Sequence, residues 1–284
     1  MGLWDSVTGF FSDLGDFFSG KGFFEAAGYI WNDMIKLGSD ALLKNPASGD
    51  YETVWKSIST MYTTLNAVAV ALMVVFFLYG FCRDSCDLHT DLTFDRTIKM
   101  FIRLIITSNV MSLALSWMPK FFSWGQSLTS AILGKNTTMA FSFDGAKAYE
   151  YISDGDFGTM LCFMTSLLFF IFSAVCAFMV VITVLNRILK IYMIAPFAGL
   201  ALSTLAAGGG TAQVGYSYIR TFFGYVLSAL MIAVVISISG SFIDVIAIDT
   251  ENGLVRLMEY CLKMGAIASA VKMSDSVMHK SFNL

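Results

Sequence analysis

MLCFMTSLLFFIFSAVCAFMVVITVL, residues 160–185, decides the fold. No Asp, Glu, Lys or Arg interrupts it, its apolar side chains fall on every side of a helix, and it exceeds the roughly 20 residues needed to cross a hydrocarbon core. Backbone groups in hydrocarbon have no water to bond, so such a stretch is stable only as a helix that satisfies its own N–H and C=O groups. The whole chain agrees: of 284 residues 56% are hydrophobic and 14% charged, and the mean hydropathy is +0.69. Soluble domains carry roughly 25% charged residues. The expected class is all-α, a polytopic integral membrane bundle of about five transmembrane helices with amphipathic helices at both ends.

Working outward from residues 160–185, the other spans follow from the spacing of charges. LNAVAVALMVVFFLYGF, residues 65–81, is the apolar heart of a first span near 61–82. A second, near 98–118, carries the polar residues Arg103 and Asn109 inside it and stops at Pro119. Beyond the third span (158–185), Arg187 and Lys190 mark a tight cytoplasmic turn into a short fourth span, 191–207, closed by Gly208, Gly209 and Gly210. The fifth lies near 221–243, and residues 57–248 together form the transmembrane bundle. In the C-terminal segment, 249–284, Arg256, Glu259 and Lys263 recur at helical spacing, the pattern of an amphipathic helix docked at the interface and not spanning.

Residues 1–56 differ in kind. Trp4, Phe10, Phe11, Leu14, Phe17 and Phe18 form an apolar stripe with acids between them, followed by a second amphipathic stretch over 22–43. An acidic polar face does not suit anionic lipid headgroups, so this region is expected to lie outside, at the interface or packed on protein. Lys and Arg concentrate in cytoplasmic loops. Arg83, Arg96 and Lys99 after the first span, with Arg187 and Lys190 after the third, therefore put the N-terminus outside and the C-terminus in the cytoplasm, with the glycine turn at 208–210 outside.

Several function classes are excluded or weakened by residue type. The 18 Lys plus Arg and 21 Asp plus Glu give a net charge of −3 with no basic block, so direct sequence-specific nucleic-acid binding is not expected. Cys82, Cys86 and His89 lack the second ligand pair of a zinc site, and no metal or cofactor is expected. With two histidines in the chain and no nucleophile motif, no catalytic residues are assigned and the protein is read as a non-enzyme. Arg103 and Asn109 leave open a stand-alone transporter or pore, since polar groups inside a membrane are costly unless they serve a path or a partner; the competing reading is that Arg103 snorkels to the interface.

Ala195, Gly199, Ser203 and Ala207 recur every fourth residue, a ladder of small side chains that lets another helix approach closely, in the same chain or in a second copy. Pro196 kinks the helix that carries it.

The stretch from Asn186 to Phe242 has a charged turn (Arg187, Lys190), an Ala195-Pro196 step, a glycine-rich turn (Gly208 to Gly210) and an aromatic-basic entry (Tyr218 to Phe223) into a long span. In these features it resembles the TrbL-like (VirB-six-like) polytopic membrane subunits of conjugative type IV secretion systems. That resemblance implies a channel or scaffold subunit of the bacterial cytoplasmic membrane, present in several copies. Its partners would be membrane lipid, the other membrane subunits and the ATPases of the system, and, transiently, the translocated DNA-protein substrate.

Overall fold

The computed structural model describes residues 20–86, 94–136, 141–153, 159–245 and 253–281. Among these no strand occurs. The helices in chain order are α1 (Lys21–Leu43), α2 (Glu52–Ser85), α3 (Phe94–Asn136), the short α4 (Gly145–Ser153), α5 (Thr159–Ile194), the short α6 (Ala198–Ser203), α7 (Gln213–Asp244) and α8 (Gly253–Ser281). Trp4, Phe10, Phe11, Leu14, Phe17 and Phe18 lie outside the described residues.

Four helical stretches among the described residues are long and apolar enough to cross a membrane: Gly49–Ser85, Thr97–Gly134, Met160–Ala207 and Gly209–Ser241. Two expected helix ends are not observed. Helix α5 runs without a break through 186–190, so Arg187 and Lys190 sit within a helix and not in a turn, and 191–207 continues the helical stretch that begins at Met160. Charge alone does not reverse a chain; Arg, Leu and Lys are good helix formers, and no Gly or Pro intervenes before Pro196. Helix α3 likewise does not stop at Pro119 but passes through it. Proline removes one helical hydrogen bond, and here the turns on its C-terminal side are held by aromatic packing, Phe122 on Trp55 at 5.6 Å and Phe121 on Phe223 at 4.8 Å between centroids.

Contacts group the chain into two compact units, Met1–Ala41 with Ala131–Leu185 and Met231–Asp275, and Leu42–Ser130 with Asn186–Leu230 and Ser276–Leu284. In the first unit, Phe24, Ala27, Trp31 and Ile35 are buried at the spacing of one helical stripe. That stripe faces α5: Phe24 meets Phe169 at 5.4 Å between centroids, Ser173 Oγ donates to the Ala27 carbonyl at 3.3 Å, and Gly38 lies beside Val180 and Val184. The extended segment 141–144 is strapped to α1. Trp31 Nε1 donates to the Phe141 carbonyl at 3.2 Å. Asn32 donates from Nδ2 to the Phe143 carbonyl at 3.0 Å and accepts the Phe143 N–H on Oδ1 at 3.1 Å. One side chain thereby supplies the donor and acceptor that a neighbouring strand would supply, in a segment that has no strand partner. At Gly145 a Cβ would collide with the Phe24 backbone, so only glycine allows the strap to sit this close.

In helix α8 apolar residues lie on the buried side, among them Met264, Ile267 and Val271, as well as on the exposed side. Glu259 and Lys263 form an ion pair of 2.5 Å whose side chains are 10% and 9% exposed, while Leu254, Met258, Leu262 and Met273 point outward. The charges neutralise each other one helical turn apart, which is the condition under which they can be buried. Burial, reinforced by Cys176, pushes the Cys261 thiol up to about 11.

Replacing Asn32 with Ala leaves the N–H and C=O of Phe143 without their partners, a loss of about 1–3 kcal/mol. A lower thermal unfolding midpoint in detergent is expected for Asn32→Ala, and an unchanged midpoint would show that the strap does not need this pairing.

Candidate functional site

The second unit is organised by how closely α2 approaches the segment 195–208. Proline at 196 cannot donate its N–H to a helix, and the chain leaves α5 through a 3-10 turn, Ala195–Phe197, into α6. The Ala198 N–H bonds to the Ala195 carbonyl, which frees the carbonyl of Ile194. Tyr218 of α7 fills the gap, its hydroxyl donating to the Ile194 oxygen at 3.2 Å. The break is thus compensated from the next helix, as a membrane-embedded backbone requires.

The ladder Ala195, Gly199, Ser203 and Ala207 is buried, and Pro196 with it. Gly199 lies on Asn66 and Ala69 of α2, and Gly80 of α2 lies on the backbone of Ala207, where a Cβ on Gly80 would collide. The small side chains therefore serve helix packing inside the chain, and this face is already covered by α2. The Asn66 Oδ1 atom is buried with no hydrogen-bond donor and faces the Cα of Gly199, the arrangement of a weak Cα–H···O contact. Two further tyrosines bond backbone carbonyls: Tyr62 donates to the Met111 carbonyl at 2.6 Å, and Tyr192 to the Pro46 carbonyl at 2.8 Å.

At Gly208 and Gly209 the backbone takes positive φ, 66° and 55°, a conformation that side chains with a Cβ adopt at a cost. Both glycines also receive an arginine. The Arg103 guanidinium from α3 occupies the space where a Cβ of Gly208 would stand, and Arg83 from the end of α2 lies 2.6 Å from that of Gly209. Arg83 reaches the Gly208 carbonyl at 3.5 Å and pairs with Asp84 at 3.0 Å. Arg103 makes no hydrogen bond or ion pair among the described residues. The glycine turn and the α2 end therefore share one end of this unit, which corrects their expected placement on opposite sides of the membrane. The expectation failed because it counted a reversal at Arg187 and Lys190 that the helix does not make.

Arg187 lies on the inner side of α5, 7% exposed. Its Nε donates to the Tyr225 carbonyl at 3.1 Å, and its Nη1 is buried without a partner. One turn further on, Lys190 stands over the Tyr225 ring, 5.6 Å from its centroid. A guanidinium keeps its charge, and burying one without a counter-ion among the described residues makes Arg187 a costly side chain here. Asn109 turns back on its own helix, bonding the Ile105 carbonyl at 2.9 Å, and is exposed. Arg103 and Asn109 thus do not converge. Cys82 and Cys86 are exposed, His89 lies outside the described residues, and no group of His, Cys, Asp and Glu among the described residues is placed to hold a metal.

Sequence reasoning missed Asn66, Gly80 and the tyrosines as packing residues. The available signal was a polar atom or a glycine inside an otherwise apolar run, which in a membrane has to meet a partner. No protein-family model matches the chain, and neither does any curated protein or any solved structure.

A bulky residue at Gly80 has nowhere to go but into the Ala207 backbone. Gly80→Val should lower the stability of the purified protein by about 1–3 kcal/mol, read as a fall in the unfolding midpoint. Midpoints equal to that of the unsubstituted protein would mean that α2 does not make this approach.

Proposed function

We propose that the chain is a non-enzymatic channel or scaffold subunit of a bacterial conjugative type IV secretion system, acting in the cytoplasmic membrane as DNA and protein substrates cross. The observation that carries this reading is the resemblance of residues 186–242 to the TrbL-like subunits. Two features favour it. The resembling stretch contains the buried Arg187, whose Nη1 has no hydrogen-bond partner among the described residues, and ionisable groups inside membranes mark functional sites by default. In addition, only 17% of the most apolar window is buried in α2 and in α3, which leaves wide faces for lipid or for further copies. Partners in this reading are lipid, other copies of the chain, and the membrane subunits and ATPases of the system. The basic end that holds Arg83, Arg96 and Lys99 faces the cytoplasm, and with it the glycine turn.

The alternative, a stand-alone transporter or pore, drew on Arg103 and Asn109. In the second unit the former seats on a glycine and the latter on its own helix. A cavity of about 250 Å³ beside Trp117, Phe121, Leu202 and Phe222 is lined by apolar surface, a space for hydrocarbon and not a path for ions. The secretion reading is therefore preferred.

In a mating assay, in-frame deletion of the gene should abolish transfer and complementation should restore it. An Arg187→Met form should fold at least as stably as the parent, because a well-packed apolar residue often replaces a buried charge without loss, yet lower transfer by roughly tenfold or more. Undiminished transfer in the deletion strain would contradict the proposal.

A further inference from the structure

We propose that the Gly208–Gly209 turn, with Arg83 and Arg103, is a binding site for the phosphate-bearing headgroup of an anionic lipid. This inference is independent of the secretion reading. Two guanidiniums from different helices converge on two consecutive glycines. By the bond geometry of the turn they stand within roughly 8 Å of each other, inside the distance over which charges at physiological salt still interact. One carboxylate, Asp84, is paired with Arg83, and Arg103 has no partner among the described residues. The cluster therefore carries an excess positive charge, which favours an added anion beside it.

The turn is built to bring them there. With a side chain at 208 the Arg103 guanidinium would be displaced, and the positive φ of both glycines aims the turn at the arginines. Both arginines also sit near helix ends, where a headgroup lies: Arg83 is two residues from the end of the span Gly49–Ser85, and Arg103 is about 9 Å in from Thr97 at 1.5 Å per residue. Phosphate is the anion that a planar guanidinium pairs with best. That the phosphate belongs to a lipid follows from the helix turns that carry the arginines, where Leu78 and Tyr79 precede Arg83 by about one turn, Ile102 and Ile105 flank Arg103 in sequence, and all four are exposed. A ligand with a charged head and hydrocarbon chains fits both surfaces, and interfacial tyrosines mark the depth of the headgroups.

The full-length protein in detergent is titrated with phosphatidylglycerol, with phosphatidylcholine and with inorganic phosphate, and bound lipid is counted by native mass spectrometry. Phosphatidylglycerol should bind more tightly than phosphatidylcholine. Because Arg103 makes no bond among the described residues, Arg103→Gln should fold normally and weaken phosphatidylglycerol binding about fivefold, and Arg83→Gln with Arg103→Gln roughly thirtyfold, at about one basic-residue contribution each. Lys99→Gln, a charge removed from the same helix end, should bind as the parent does. Equal binding by Arg103→Gln and the parent, an equal loss in Lys99→Gln, or competition by inorganic phosphate as effective as by the lipid would each overturn the assignment.

Discussion

The second unit depends on one constraint: α2 and the segment 195–208 approach until backbone meets backbone. Lipid chains are as apolar as leucine, so helices in a membrane gain little by hiding apolar surface and associate where small residues let them pack closely. Gly80 against Ala207 and Gly199 against Asn66 are the two places where this closeness is required, since a Cβ at either position meets atoms already there. Ala69, Ala195, Ala198 and Ala206 extend the same buried seam, and Trp55, Tyr62 and Phe222 complete its core.

The rest of the unit can be derived from that contact. Holding the chain against α2 after Pro196 prevents α5 from continuing straight, and the carbonyl released by the break is recovered by Tyr218 of α7. The segment then ends at Gly208 and Gly209, whose positive φ reverses the chain into α7. Since Gly80 fixes the turn beside the end of α2, Arg83 necessarily comes with it, and Arg103 arrives from the paired helix α3. The convergence of two arginines on the turn is thus a consequence of small-residue packing further up the seam. Arg187 is the exception to this economy: it is buried where an apolar residue would pack, with one bond and an unpaired Nη1.

The helical membrane class was legible in the sequence because a charge-free run the length of 160–185 has no other stable conformation in lipid. The ladder from Ala195 to Ala207 was legible as a packing face, but its spacing carries no information about which helix fills it, and that helix is α2. A pair of charges in sequence has the look of a loop, whereas Arg187 and Lys190 continue α5 as other helix formers do. In α8, residue spacing cannot tell whether Glu259 and Lys263 face water or each other. The snorkelling reading of Arg103 rests on local sequence; its seat on Gly208 depends on a contact between residues about a hundred positions apart, which no local pattern encodes.

The account turns on the glycine turn and the end of α2 lying at one end of the second unit. Cys86 is exposed, and Gly210 has open space where a side chain would go, so each can serve as a single reporter in an otherwise cysteine-free protein. Cys86 in one form and Gly210→Cys in the other are exposed to a membrane-impermeant thiol reagent in intact cells and in inverted vesicles. The account predicts that both react from the same side. Labelling of the two positions from opposite sides would contradict it, and would restore a separate crossing between Arg187 and the glycine turn.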